Sequence, residues 1–255
     1  MRYKVEYTDE QLAVRLMDME IVKDLLARRA YLLDGNQKEQ ELEQLWVRTP
    51  ENMATASYGE NWGYIVGMDS LKRNYAGKQQ ELEKARLQAY CDADPSIECK
   101  PENYGLGFGA VHTVNTGHVV IAYDGATARG LFYDVYERTV GKPDGTCETI
   151  VACGPVACDF IKEDGVWKIW HLFQGADHVF TVGQDYASVP IPRPDETNPV
   201  AMEFGTPDVA MKTYDPDYGW ADNYPPMPDP YYTFTPAESY GPEGHPDYQK
   251  EVSFV

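Results

Sequence analysis

Apolar residues near the start of the chain recur at helical spacing: Leu12, Leu16, Met19, Val22, Leu26 and Leu33, with Ile21, Leu25 and Leu32 widening the stripe. Thr8 followed by Gln11 is a capping-box pattern, so a long amphipathic helix is predicted to open there, with room for a break near Met17–Met19. It is predicted to end at Asp34-Gly35-Asn36, where Gly35 can take the left-handed cap position. A short second helix fits Gln37 to Trp46, with Pro50 marking its end. Met53–Tyr58 and Trp62–Val66 read as a short β pair around Gly59-Glu60-Asn61. Asp69 or Ser70 can cap a third helix to about Tyr90, with the charged stretch Lys78–Arg86 as its solvated face.

Beyond the loop of residues 91 to 105, the period changes. From His112 to Phe173 the chain reads as a sheet: Val119–Tyr123, Thr127–Glu137, Cys147–Lys162 and Val166–Phe173 are strands. Arg129, Leu131, Tyr133 and Val135 alternate onto one face of the second strand. Asp124-Gly125 and Asp164-Gly165 are hairpin turns, because glycine accepts the positive φ that tight turns require. Gly154-Pro155 predicts a bulge or kink that bends the sheet. From residue 190 the composition shifts: that segment holds 13 of the 18 prolines, seven tyrosines, 12 acids and 3 bases. So many prolines leave little room for regular structure, while the tyrosines argue for an arm laid on the domain or on a neighbouring subunit. The expected organisation is a pocket domain over 1–185 and an extended, acidic, Pro/Tyr-rich arm over 186–255.

Charge narrows the range of partners. Formal net charge is −19, from 41 acids and 22 bases, a field that repels phosphate backbones and anionic membranes. Nucleic acid and membranes are therefore excluded as expected partners. No run of about 18 apolar residues exists, and the first residues lack a signal-peptide pattern, so a cytoplasmic location is expected. Five cysteines, an odd count, fit reduced thiols, and no CxxC pair or His/Cys cluster predicts a metal. Gly105-Leu106-Gly107-Phe108-Gly109 lacks the strand–helix context of a phosphate loop, and neither a Gly-x-Ser-x-Gly elbow nor a His-Glu-x-x-His motif occurs.

Three stretches carry a resemblance: Glu20–Asp34, a helix ending in an acid; His112–Ile121 with the Asp124-Gly125 turn and Thr127-Ala128; and Glu163-Asp164-Gly165-Val166-Trp167-Lys168-Ile169. Their order and spacing over about residues 10 to 180 resemble the SnoaL-like branch of the NTF2-like superfamily. The resemblance implies an α+β fold, a cone-shaped α+β barrel in which a curved antiparallel sheet wraps a long N-terminal helix around an apolar pocket. It also implies a small-molecule substrate, no cofactor, and a homo-oligomer, dimer or trimer, whose arm can wrap a neighbour. Fold alone does not choose a reaction among the family's dehydratases, isomerases, cyclases, epoxide hydrolases and non-catalytic binders.

Tyr31 and Asp34 lie three residues apart and share a helix face. A carboxylate in an apolar pocket titrates upward, which suits acid–base work, and a histidine moves protons near neutral pH. The family habit of pairing a helix-end aspartate with a sheet histidine implies Asp34 and His112 as the acid–base pair, with the Tyr31 phenol polarising a substrate oxygen. Tyr58, Trp62, Tyr64, Asn115 and His171 are the expected pocket-lining residues; for each, plain packing is the rival reading. The expected function is a cofactor-independent lyase of the dehydratase type or an isomerase, acting on a small apolar or aromatic oxygenated substrate. The alternatives are a polyketide-cyclase or ketosteroid-isomerase type enzyme and a non-catalytic small-molecule-binding module.

Overall fold

A computed structural model describes residues 6–61, 63–176, 178–183, 205–210 and 225–245. Helix α1 runs unbroken from Asp9 to Asp34, so the expected break near Met17–Met19 is absent. The Thr8 hydroxyl accepts from the Gln11 backbone N–H, and the Gln11 side chain returns the bond. At the other end Gly35 keeps a negative φ and Asn36 takes the left-handed position at +57°, reversing the expected assignment. Asparagine tolerates that region because its short amide bonds locally.

Leu12, Leu16 and Ile21 are exposed although they belong to the periodic stripe, while Arg15 between them donates to the Ile121 and Ala122 carbonyls. Burial starts with Asp18, which accepts from the Trp167 indole at 2.7 Å and from Lys162. Val22, Leu26 and Leu33 then pack into the main core.

Helix α2 spans Lys38–Leu45, and α3 spans Pro50–Thr55. Pro50 therefore opens a helix rather than closing one, as proline suits a first turn whose N–H has no partner. Glu163, at the far hairpin, accepts from the N–H groups of Arg48 and Thr49 and from Asn52, holding this turn onto the sheet. The β pair follows as β1 (Ser57–Glu60) and β2 (Gly63–Val66). A short α4 (Met68–Ser70), a π-helix (Leu71–Gly77) and α5 (Lys78–Ala93) form the third helical stretch. Cys91, near the end of α5, is joined to Cys99 by a disulfide with the Cα atoms 6.1 Å apart. This corrects the expectation of five reduced thiols; Cys147, Cys153 and Cys158 are free.

The long strands are β3 (Phe108–Ile121), β4 (Thr127–Gly141), β5 (Cys147–Glu163) and β6 (Val166–Gln174), followed by β7 (His178–Thr181) and β8 (Val209–Ala210). The main path of the sheet runs β3-β4-β5-β6-β1-β2-β8, with β7 paired to β5. It is antiparallel except where β1 lies parallel to β6. The result is the expected α+β cone, a curved, unclosed sheet wrapped on α1. Gly154-Pro155 makes no bulge against β4; there β5 exchanges β6 for β7 as neighbour. A Cβ on Gly154 would lie 2.1 Å from the Gly175 carbonyl oxygen, so the close crossing requires glycine.

The bulge lies elsewhere. Phe160 pairs with Ile169, but Asp159 pairs with His171, which leaves Trp170 as an extra residue in β6. The extra residue inverts the alternation downstream. Ile169 and Leu172 both enter the main core, whereas Phe173 joins a second cluster with Tyr64 and Tyr240 on the opposite face. Over that outer face lies the segment 225–245, here termed the strap, which buries Tyr231 and Tyr240. No helix among the described residues is long and apolar enough to cross a membrane.

Candidate functional site

The end of α1 meets β3 through one carboxylate. Asp34 Oδ1 accepts from the His112 backbone N–H at 2.8 Å and lies 2.8 Å from His112 Nδ1. The carboxylate orients the imidazole with Nδ1 donating, which leaves Nε2 as the basic nitrogen. Tyr136, directly opposite His112 on β4, stacks on the ring at 5.2 Å between centroids. Burial pushes the His112 pKa down, against the Asp34 hydrogen bond and the Asp134 charge, which raise it. The neutral imidazole is thus the resting form near pH 7. His112 keeps 12% of its side-chain exposure and Asp34 27%, so the pair is sheltered but reachable.

Behind the pair runs a chain of buried polar groups that the sequence did not single out. Asp134, one pair along from Tyr136 on the same inward face of β4, is 1% exposed. Burial raises its pKa, against the lowering influence of His112 and Arg29. The Gln174 amide donates to Asp134 Oδ2 at 3.2 Å, and its oxygen accepts from Arg29 Nη2 at 3.0 Å. Arg29 Nε donates to Glu41 at 3.1 Å, and Glu41 also accepts from Tyr75 and from the Trp46 indole. Desolvation opposes the Arg29 charge, but Tyr75, Glu41 and Tyr58 outweigh it and hold the guanidinium firmly protonated. A buried ion of this kind is tolerable only because its donors are occupied.

The other expected residues separate. Tyr31 is 79% exposed on the outer side of α1, so it does not share the inward orientation of Asp34; helix neighbours three apart differ by about 60° in azimuth, enough to divide them at the edge of a buried stripe. Asn115 is exposed with Thr113 on the outer face of β3, because strand alternation sends it opposite to His112. Tyr64 faces outward from β2, and its hydroxyl donates to the Tyr240 carbonyl under the strap. His171 also faces the strap: the β6 bulge breaks the alternation that would have carried it inward with Ile169. Tyr58 does stay inside, its ring near Tyr75 and the Arg29 guanidinium and its hydroxyl bonded to Glu60. Trp62 lies outside the described residues.

A signal for the missed groups was present. Arg29 falls three and seven residues from Leu26 and Val22, inside the apolar stripe of α1, where an unpaired charge is untenable. Phe132, Asp134 and Tyr136 form the complementary face of β4, the one that turns inward. A cleft of about 420 Å³ is lined by Gly35, the residue after Asp34, together with residues that include Gln37, Gln79, Glu83 and Tyr104. Burial raises the Glu83 pKa.

The long helix packed on a curved, unclosed sheet agrees with the expected NTF2-like fold. Residues 14–172 match the SnoaL-like domain, and the chain belongs to that family. Among solved structures, it is similar to a proposed scytalone dehydratase from Novosphingobium aromaticivorans, at 14% identity and TM-score 0.46, covering 68% of this chain and 93% of that one. It is also similar to a hexachlorocyclohexane dehydrochlorinase from Novosphingobium barchaimii, at 13% identity and TM-score 0.44, covering 69% and 97%. An NTF2-like protein with a cystatin-like fold from Novosphingobium aromaticivorans is similar at 18% identity and TM-score 0.43, covering 72% and 96%. No curated protein matches the chain.

Proposed function

We propose that the chain is a cofactor-independent lyase of the β-elimination type, or an isomerase, acting on a small apolar or aromatic oxygenated substrate with His112 as the base. The observation that carries this reading is the 2.8 Å contact between His112 Nδ1 and Asp34 Oδ1, in a partly exposed pair. His112 Nε2 removes a proton from the carbon next to an activating carbonyl. In elimination the C–H electron pair becomes a C=C bond as the β C–O bond breaks, and the imidazolium returns its proton to the departing hydroxide to give water. Isomerisation shares the first transfer and returns the proton to a different carbon. Asp34 stabilises the imidazolium formed in between.

The test is turnover of a panel of β-hydroxy and β-aryl carbonyl compounds by the parent, Asp34→Asn and His112→Ala. Asp34→Asn is expected to lower turnover about 100-fold, at the lower end for loss of proton-transfer catalysis. Undiminished turnover in both variants would remove the pair from the mechanism.

A further inference from the structure

We propose that the C-terminal strap positions the site: by gripping Trp170 and His171 it sets the phase of β6, and that phase holds Gln174 between Arg29 and Asp134. The proposal makes Gln174 and the strap contacts positioning residues for His112, and it rests on the reading of His112 as the base.

The argument starts from the extra residue. Without the bulge, strict alternation from Ile169 would send His171 and Phe173 inward and Leu172 and Gln174 outward. With it, Leu172 is fully buried in the main core and Gln174 reaches Arg29 and Asp134. A one-residue slip therefore exchanges the whole end of the strand between faces.

What holds the bulge lies mostly on the strap side. The Trp170 ring packs against strap residue Phe234 at 4.6 Å between centroids, and its indole donates to Thr55 Oγ1 at 2.9 Å. His171 Nδ1 lies 2.9 Å from Asp159 Oδ2 and 3.1 Å from Ser239 Oγ. The same Asp159 oxygen accepts from Ser239 Oγ at 2.6 Å and from the Tyr240 backbone N–H at 2.8 Å. Gly241 lies against the His171 ring, where an added Cβ would come within 3.1 Å. Three strap residues thus hold the two that define the phase. Gln174 lies three residues beyond His171, in the same strand, and ties the buried cation to the carboxylate that acts on His112.

The test follows the His112 imidazole by NMR titration in the full chain, which needs no substrate. Removing the Gln174 amide takes from Asp134 a donor that stabilises its charged form; Asp134 then carries less negative charge and His112 titrates lower. Gln174→Ala is expected to lower the His112 midpoint by about half a pH unit. Phe234→Ala and Ser239→Ala are expected to move it in the same direction, and Phe234→Ala with Gln174→Ala to add nothing beyond Gln174→Ala. Phe234→Leu, which keeps the apolar bulk, is expected to restore the parental value.

A His112 midpoint unmoved by Phe234→Ala and Ser239→Ala, but moved by Gln174→Ala, overturns the strap's part. No movement in Gln174→Ala overturns the proposal entirely. If Phe234→Ala loses its cooperative fold, Ser239→Ala decides alone. Loss of the base reading is told apart by turnover: full activity in His112→Ala rejects the base while leaving the titration able to report the coupling.

Discussion

Two aspartate–histidine pairs sit on opposite faces of one sheet. Asp34–His112 joins the end of α1 to β3 at 2.8 Å, and Asp159–His171 joins β5 to β6 at 2.9 Å. By bond length they are the same object. Their surroundings differ: the first keeps partial exposure and a single carboxylate contact to the ring, whereas in the second Asp159 is 1% exposed and the strap supplies two more donors to the same oxygen. The comparison teaches that an Asp–His contact acquires chemical meaning only from access. One pair can meet a substrate, and the other fastens a segment.

Replacing each histidine or its partner should break this symmetry in opposite ways. The largest effect is expected in His112→Ala, with turnover falling about 1,000-fold, the middle of the range for loss of a general base, and stability little changed; steady-state kinetics beside a denaturant melt measures both. Asp159→Ala strikes the other pair, leaving Ser239, His171 and the Tyr240 N–H buried without their acceptor. About 3 kcal/mol of unfolding free energy should be lost, read from urea midpoints.

The acid–base behaviour of His112 sharpens the contrast. Because burial sets its folded pKa below the ordinary 6.5, the unfolded chain binds more protons between those two values. Stability should therefore fall as pH drops from 6.5 toward the folded pKa, and turnover should fall with it as the base becomes protonated. A pH series of melts compared with His112→Ala isolates the contribution: the variant should lack this component of the slope. The smallest effect is expected in Tyr64→Phe, which removes only the hydroxyl bond to the Tyr240 carbonyl. It should cost about 1 kcal/mol in the same melts.

The fold was largely legible because its signals are local. The capping box, the two Asp-Gly hairpins and the change from helical to strand period each depend on a few adjacent residues. At the site, Asp34 and His112 were legible as a pair only through the family resemblance, since 78 residues separate them. The phase of β6 was not legible: nothing near Trp170 announces a bulge whose stabilising contacts come from Phe234 and Ser239. His171 was assigned inward on alternation with Ile169, which the bulge breaks, and Tyr64 by its place on the short β pair; the strap covers both. Asp134 and Arg29 were passed over because charged residues on a strand or helix read first as solvent-facing. Their burial requires a partner network drawn from α1, α2, β4, β6 and the π-helix at once.

The parallel pairing of β1 with β6 joins Ser57 to His171, and the strap then reaches from Ser239 back to Asp159. Contacts so distant along the chain are made slowly, after nearer ones have formed. On the ribosome, where chains grow at about 5–20 residues per second, the long hairpins can form while the strap is still unmade. The last part of β6 to gain its outer support is then the part that carries Gln174. A nascent chain halted before residue 225 would hold Asp34 and His112 in sequence yet lack Phe234, the strap side chain packed on Trp170, so the site is expected to be among the final features of the molecule to mature.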